Sequence, residues 1–252
     1  MRSVLIVGAN QGLGHSLALQ YAKAGLNVYA TARYSAPQAS TPNLHWIPKI
    51  DVTSHGAGRH IAAHWDEDSK IDLLVICTGF FATDTLDALD WEKQLKMYST
   101  TVIAPPFIVH HLEKAGLLKT NSRVVLIGSE SGSIALRHES EGGGNYGGHG
   151  SKAALNMVGK LLSIDLRPKG IAVSIVHTGY LRKEGKDGVW ETGDRHAVKP
   201  EEAATALRSW VETFDMSKTG QFWAIRGAGD IKTAEAVLGP VDILPTPLEL
   251  PW

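Results

Sequence analysis

The sequence predicts an α/β protein in which a doubly wound parallel sheet lies between two layers of helices. Three observations predict this class: short apolar runs alternate with helical stretches, the first run leads into a glycine-rich turn, and no linker or shift in composition divides the chain. At 252 residues the chain is long enough for a substantial core. We therefore expect one domain over residues 1–252.

Composition limits the classes of partner. The formal net charge is −1 and the pI is about 6.8, so electrostatics favour neither nucleic acid nor an anionic membrane as partner. The N-terminal apolar run is too short for a signal-peptide core, and no run approaches the roughly 18 apolar residues of a membrane span. We expect a cytoplasmic protein that binds a small molecule. The single cysteine, Cys77, excludes an intrachain disulfide and any multi-cysteine metal site, and we expect no metal.

The first third of the chain alternates strands with helices. Val4 to Val7 is a continuous apolar run, which suits a strand buried on both faces of a parallel sheet. The next helix ends at Gly25, a residue suited to the left-handed C-terminal cap of a helix, and Asn27 to Thr31 is the second strand. The pattern repeats with a strand at 44–50, a helix at 58–65 and a strand at 71–77.

The rest of the chain continues this alternation. A long helical stretch at 89–112 contains Pro105 and Pro106, which we expect to kink or divide it. Residues 182–199 are charged and weakly periodic, which predicts a loop, and residues from about 239 to 252 form a proline-rich tail. The remaining predicted elements are a strand at 123–127, a helix that starts near Ser151 and ends at 166, a strand at 171–176, a helix from Pro200 and a strand at 221–225.

A glycine-rich turn follows the first strand. Gly8, Gly12 and Gly14 have the spacing G-x-x-x-G-x-G between a predicted strand and a predicted helix. This arrangement lets the backbone approach a pyrophosphate while N–H groups of the helix N-terminus point at its charge. The alternative is a tight strand-to-helix turn without a ligand. We favour nucleotide binding in a Rossmann fold, with Asn10 and Leu13 of the same turn among the contacts.

The end of the second strand indicates which cofactor binds. It reads ATARYS and has no acidic residue to hold a ribose 2′-hydroxyl. Arg33 would instead pair with a 2′-phosphate, which favours NADP(H), although a solvated surface arginine is the alternative. Asp51 and Val52, after the third strand, are placed to touch the adenine. For Asp51, a helix cap is the competing interpretation.

Three segments together resemble the short-chain dehydrogenase/reductase family: the glycine-rich turn, IGSESGS at 127–133, and the stretch from SKAALN to VHTGY at 151–180. The likeness covers essentially the whole chain, is most specific at 151–180, and is closest to the branch of bacterial C-factor and insect sniffer carbonyl reductases. It implies NADP(H) as cofactor. It also implies a homodimer or homotetramer, paired through the helices at 89–112 and 151–166.

In that family a serine polarises the substrate carbonyl, a tyrosine transfers the proton, and a lysine four residues later holds the nicotinamide ribose. The resemblance places Ser129 at the serine and Lys152 at the lysine, which would thus also bind the cofactor. The tyrosine position is Gly148, which has no side chain. Tyr146 matches the first, non-catalytic tyrosine of the family's YAY pattern. It is still a candidate for a catalytic role, the alternative being packing against the glycine-rich loop.

Other family positions are altered as well. The asparagine of the fourth helix corresponds to Thr101, within a register of one or two residues. The motif after the fourth strand keeps only Gly79, and the motif after the sixth keeps Gly179; the resemblance implies that both contact the cofactor. The threonine that usually contacts the carboxamide corresponds to Lys183.

Loss of a positioned general acid costs about 10²- to 10⁴-fold in rate, so an ordinary carbonyl reductase with Gly148 would be slow unless another group substitutes. The candidates are Ser129, Tyr146, Lys152 and His149. His149 has a useful ordinary pKa, but we favour its interpretation as an exposed loop residue. The loop at about 180–199 would cover the substrate.

Three functions stay open on the sequence. The first is an atypical NADPH-dependent reductase of a specialised small molecule, such as an iminium or another activated acceptor, because hydride addition to a cation needs no proton on oxygen. The second is a non-redox cyclase or isomerase that keeps NADP(H) as a bound scaffold. The third is a non-catalytic NADP(H)-binding protein.

Overall fold

One sheet runs through the computed structural model, which describes residues 2–35, 40–65, 69–182, 185, 190 and 196–252. Its strands are β1 (Ser3–Val7), β2 (Asn27–Thr31), β3 (Leu44–Ile47), β4 (Ile71–Ile76), β5 (Leu118–Ile127), β6 (Ala172–His177), β7 (Phe222–Ala224) and β8 (Leu248–Glu249). They are arranged in the order β3-β2-β1-β4-β5-β6-β7-β8. Strands β1 to β7 are parallel, and β8 is antiparallel to β7.

Helices cover both faces of the sheet. The described α-helices are α1 (Gly12–Lys23), α2 (Ala57–Ala63), α3 (Trp91–Tyr98), α4 (Ala104–Lys114), α5 (Tyr146–Leu166), α6 (Pro200–Glu212) and α7 (Ala234–Leu238). Buried side chains of α1 and α6, such as Leu17 and Leu207, form one apolar core with the sheet. Those of α2, α4 and α5, such as Ile61, Ile108 and Leu155, form a second core. The predicted doubly wound, three-layer Rossmann fold is confirmed.

The central strands are buried along their length, as the continuous apolar runs predict. All five residues of β1 and all six of β6 are buried, because helices cover both faces of a parallel sheet. Val4 lies in register with Val28 of β2 on one side and with Leu73 of β4 on the other. Strand order therefore reverses between β1 and β4, and a crevice opens there at the carboxyl ends of the strands.

The predicted helix at 89–112 is divided, but not at its prolines. It consists of α3, a π-helical turn at Ser99–Ile103, and α4. Pro105 and Pro106 lie in the first turn of α4, where a missing N–H costs little. The irregularity is therefore the π-helical turn that precedes them.

Helix α5 begins at Tyr146, whereas the sequence predicts a start near Ser151. The residue before it, Asn145, has left-handed backbone angles and makes no side-chain cap. The cap comes from Asp84, whose carboxylate accepts hydrogen bonds from the N–H groups of Tyr146 and Gly147. This distant cap stabilises a first turn whose glycines would otherwise disfavour helix.

The proline-rich tail contains a strand that the sequence did not predict. Leu248 of β8 pairs with Ala224 of β7, and the N–H of Leu250 donates to the carbonyl of Phe222 at 2.7 Å. The ring of Trp252 stacks on that of Phe222 with centroids 5.9 Å apart. The tail therefore covers the β7 edge of the sheet, and the Trp252 ring contributes to this packing.

Candidate active site

A cleft of about 260 Å³ opens where the strand order reverses. Eight of the predicted cofactor-binding residues line it: Gly8, Asn10, Gly12, Leu13, Gly14, Arg33, Val52 and Gly79. Sequence reasoning did not single out the other lining residues, which are Gln11, Thr31, Ile50, Cys77, Thr78, Thr100, Ile127 and Leu181. In the sequence, their position is the feature that could have predicted them, because most of them lie at or just beyond the carboxyl ends of strands.

Two glycines shape the cleft floor. Gly8 has φ of +87°, and a Cβ there would lie 2.9 Å from the Thr78 side chain. A Cβ on Gly14 would lie 2.3 Å from the carbonyl oxygen of Gly8, so α1 can approach β1 only with glycine at this position. The Thr31 hydroxyl accepts the N–H of Gly8 at 2.9 Å and fixes the turn. The cradle that results has the shape that a pyrophosphate requires.

Arg33 lines the cleft, and none of the described residues that line it is acidic. Arg33 is exposed, with its guanidinium 5.9 Å from the centre of the Tyr34 ring. Asp51 lies in an adjoining depression rather than in the cleft. Its carboxylate accepts the N–H and hydroxyl of Thr53 at 3.0 and 2.8 Å, and these bonds hold the pKa of Asp51 below its usual range. Asp51 therefore closes a local turn and is not the helix cap that was the competing interpretation, since the residue before α2 is Gly56.

Lys152 points from α5 toward the end of β5. Its Nζ donates to the carbonyl oxygen of Ile127 at 2.9 Å. Burial lowers the pKa of Lys152 to about 8 because a charged amine is poorly solvated there. Burial likewise raises the pKa of the nearby Cys77 thiol to about 12, so this cysteine is no thiolate nucleophile at neutral pH.

Ser129 follows β5 and is half-buried. Its Oγ accepts hydrogen bonds from the N–H and the hydroxyl of Ser131 at 3.2 and 2.9 Å. The short 3₁₀ turn Glu130–Gly132 packs tightly on α5, since a Cβ on Gly132 would lie 2.6 Å from the carbonyl carbon of Lys152. The two residues that match family catalytic positions are thus held on adjacent, closely packed elements.

Gly148 is the third residue of α5 and is buried. A Cβ at this position would lie 3.0 Å from Cε2 of Phe81. The Phe81 ring, carried by the loop after β4, is therefore the neighbour that any side chain at 148 would meet. This contact is not predictable from local sequence patterns, because the two residues lie far apart along the chain.

Tyr146 and His149 flank Gly148. Tyr146 is exposed, and its hydroxyl is 3.8 Å from where a Cβ on Gly143 would be, so its side chain lies against the glycine-rich loop. His149 belongs to the first turn of α5 and is half-buried, which corrects its placement on an exposed loop. Its Nδ1 lies 2.9 Å from the carbonyl oxygen of Ser131 and 3.4 Å from Nη1 of Arg137, so the ring is held against the segment after Ser129.

A buried ionic cluster beside Ser129 was missed by sequence reasoning. Glu130 is 3% exposed, pairs with Arg137 at 2.5 Å and accepts the hydroxyl of Tyr180 at 2.6 Å. This burial and the Glu130 carboxylate raise the pKa of Tyr180 far above its usual range. The cluster ties the segment after Ser129 to the segment after β6. Arg137 and Tyr180 stood in the sequence without any pattern to connect them.

The segment after β6 is fixed at both ends. Val198 exchanges backbone hydrogen bonds with Tyr180 and Arg182 at 2.9 and 2.8 Å, and the Arg182 side chain donates to Ala197. Gly179 does not line the cleft; a Cβ there would meet Arg226 and Asp230. Much of the predicted substrate loop, including Lys183 and the charged residues Glu184, Glu191 and Arg195, lies outside the described residues.

The position assigned to the family's asparagine falls in the π-helical turn. Thr101 is buried, while its neighbour Thr100 lines the cleft, which is within the expected register. The carbonyl of Thr100 accepts the hydroxyl of Thr78 at 3.4 Å. Within the described ranges, no three His, Cys, Asp or Glu side chains are grouped to hold a metal ion, and no helix has the length and apolarity to cross a bilayer.

Comparison with known proteins agrees with this geometry. The family model for short chain dehydrogenase matches residues 2–193. The 1-hydroxy-2-glutathionyl-2-methyl-3-butene dehydrogenase of Rhodococcus sp. (strain AD45) is 27% identical over 224 residues, covering 88% of this chain and 96% of that protein. The NADPH-bound carbonyl reductase from chicken fatty liver superposes with a TM-score of 0.75 at 24% identity, covering 89% of this chain and 91% of that one. For the carbonyl reductase Sniffer of D. melanogaster the TM-score is 0.71 at 21% identity, with 88% and 96% covered.

Proposed function

Because the chain belongs to the short-chain dehydrogenase family, we propose that it is an NADPH-dependent reductase whose small-molecule substrate has an already activated acceptor carbon, such as that of an iminium ion. The observation that carries this proposal is Gly148. One turn before Lys152, where the family has its proton-donating tyrosine, this chain has no side chain, and the Phe81 ring is the nearest group. The family assignment makes the protein an oxidoreductase, and the acceptor is the proposed part.

The cleft supports NADP(H) as the cofactor. The close approach of Gly14 to Gly8 leaves a cradle that a Cβ would fill, and Arg33 lines the end where a 2′-phosphate would lie. Lys152 and Gly79 are the residues proposed to hold the nicotinamide half. When bound, NADPH supplies the hydride.

An iminium acceptor fits the residues that remain. Addition of a hydride to the iminium carbon moves the C=N electron pair to nitrogen and gives a neutral amine, so no proton has to be supplied. A ketone would instead need a proton on its oxygen, and the missing acid would cost about 10²- to 10⁴-fold. Ser129 then orients the substrate instead of polarising a carbonyl.

A labelled cofactor tests the proposal directly. The N-methyl-3,4-dihydroisoquinolinium ion is a permanent cation and a suitable probe. With NADPH carrying deuterium at the transferred C4 position, we expect one deuterium in the tetrahydroisoquinoline product, detected by mass spectrometry. Ser129→Ala is expected to cost less than about tenfold, because an iminium offers no carbonyl oxygen to the hydroxyl. Tight NADPH binding without reduction of this ion or of ketone probes would contradict the proposal and favour the non-catalytic alternative.

A homodimer is part of the proposal. Helices α3 to α5, with the π-helical turn, present apolar side chains that are about half exposed, and such surfaces commonly mark interfaces. These residues are Leu95, Ile103, Phe107, Met157, Leu161 and Ile164. Light scattering after size exclusion tests this: Leu161→Glu is expected to give a monomer, and a wild-type monomer would contradict the pairing. Cytoplasmic location stays a prediction.

A further inference from the structure

The loop that joins β4 to α3 is attached to the first turn of α5. The carboxylate of Asp84 accepts the N–H groups of Tyr146 and Gly147 at 2.7 and 3.2 Å, and its backbone carbonyl accepts the N–H of Asn145 at 2.9 Å. Gln94 donates to the same carboxylate at 3.1 Å. Asp84 is 7% exposed, so these bonds are shielded from water, and loop and helix are held as one unit.

This attachment presents the ring of Phe81 beside Gly148. Cε2 of Phe81 lies 3.0 Å from where a Cβ on Gly148 would be, so the ring occupies space that a tyrosine at 148 would need. Phe81 also lies two residues beyond Gly79, which lines the cofactor cleft. The ring therefore lies against the first turn of the helix that carries Lys152.

The Phe81 ring is nevertheless largely open to solvent. It is 62% exposed. The adjacent Phe80, by contrast, is half-buried, and the Nζ of Lys96 lies 4.4 Å from the centre of the Phe80 ring. An exposed aromatic face beside the position where the family has its catalytic tyrosine offers a surface to a ligand. Its π electrons make the face negative, which favours a flat group and a positive one.

We propose that Phe81 determines substrate specificity by stacking on a planar aromatic group of the substrate that is conjugated to, or bears, the cationic acceptor. This inference rests on the proposed function and names its substrate class: aromatic iminium ions over aliphatic ones. Gly148 and Phe81 act as a pair, since the glycine leaves room for the ring and the ring supplies the binding surface. Stacking and cation–π contact together favour the aromatic cation by about 3- to 30-fold.

Two probes and three variants test this. The probes are N-methyl-3,4-dihydroisoquinolinium, which is aromatic, and N-methyl-1-pyrrolinium, which is aliphatic. Phe81→Leu keeps an apolar side chain but removes the ring, Phe81→Ala removes both, and Leu86→Ala is the control, a 74% exposed residue of the same loop. We expect Phe81→Leu to lower kcat/KM for the aromatic probe by about 3- to 30-fold, with the aliphatic probe changing less than about twofold. Leu86→Ala should change neither.

A binding measurement separates this inference from the proposed function. Calorimetry with the N-methylisoquinolinium ion, in the presence of NADP⁺, which has no hydride to transfer, should show the same selective loss of affinity in Phe81→Leu. If wild-type protein binds this ion through Phe81 but reduces neither probe, the proposed function fails and the binding site stands. Suppose instead that both probes are reduced, that Phe81→Leu changes kcat/KM for the two probes equally or not at all, and that the affinity for the ion is unchanged. The role of Phe81 is then refuted, while the proposed reductase function is retained.

Discussion

The carboxylate of Asp84 lies 2.7 Å from the backbone N–H of Tyr146, across 62 residues of chain, and caps helix α5 where no local residue does. This single relationship extends the helix back over Gly147 and Gly148. It also fixes the loop that carries Phe81. The arrangement of the candidate active site therefore depends on a buried hydrogen bond between a loop and the helix N-terminus.

Removal of this cap should loosen α5 at its start. Asp84→Ala is expected to lower the free energy of unfolding by about 1–2 kcal/mol, measured by urea denaturation, and to speed amide exchange at Tyr146 and Gly147. Asp84→Asn keeps a hydrogen-bond acceptor, so its free energy of unfolding should fall less. Asp90→Ala is the matched control, because Asp90 caps α3 through the N–H of Lys93 at 3.0 Å. Equal exchange at the start of α5 in both alanine variants would show that Asp84 is not its cap.

A tyrosine at 148 should restore ordinary carbonyl reduction. Gly148→Tyr is expected to raise kcat/KM for an aryl methyl ketone by about tenfold or more, since a positioned acid is worth about 10²- to 10⁴-fold. Because a Cβ at 148 lies 3.0 Å from the Phe81 ring, the double variant with Phe81→Ala should gain more. Gly148→Phe supplies the same bulk without the hydroxyl and should gain nothing; a comparable gain there would exclude proton donation as the cause.

Arg33 should determine the choice between NADPH and NADH. Arg33→Ala removes a charged hydrogen bond to the 2′-phosphate, so the Kd for NADPH is expected to rise about 10- to 100-fold, with the Kd for NADH unchanged. Fluorescence titration of both cofactors measures this. Arg59→Ala is the control, since Arg59 is an exposed arginine of α2. Parallel weakening of both cofactors in Arg33→Ala would argue against a 2′-phosphate contact.

Lys152 should give stability a measurable dependence on pH. Burial lowers its pKa from 10.5 to about 8, so in this range the unfolded chain binds more protons and stability rises with pH. The cost of the buried charge is present in full below pH 8 and disappears as pH approaches 10.5. Relative to Lys152→Met, wild-type protein should therefore gain stability between pH 7 and 10, on the order of 1–2 kcal/mol after allowance for partial exposure.

Chemical denaturation at intervals of pH measures the difference between the two proteins. The lost hydrogen bond from Lys152 to Ile127 adds an offset, so the slope with pH is the informative quantity. Lys160→Met, at an exposed position of the same helix, is the control and should show no comparable slope below pH 9. A flat difference for Lys152→Met would mean that its amine keeps an ordinary pKa.

Local patterns predicted most of the fold. The apolar runs at Val4 to Val7 and Asn27 to Thr31 became β1 and β2, and the glycine-rich turn became the cleft floor. Errors arose where a partner distant in sequence decides the outcome. Strand β8 forms because β7 offers an open edge, and no property of Leu248 and Glu249 alone predicts pairing.

Residue identity and spacing were sufficient for everything that depends on the chain's immediate neighbours: the alternating elements, the glycine-rich turn between β1 and α1, the arginine at 33, and the absence of a side chain at Gly148. Tertiary structure alone decided which groups meet there. The Phe81 ring beside Gly148, the Asp84 cap on α5 and the buried pairing of Glu130 with Arg137 and Tyr180 join segments from different strand ends. Such contacts arise because parallel strands bring their carboxyl ends to one edge of the sheet, where loops far apart in sequence converge.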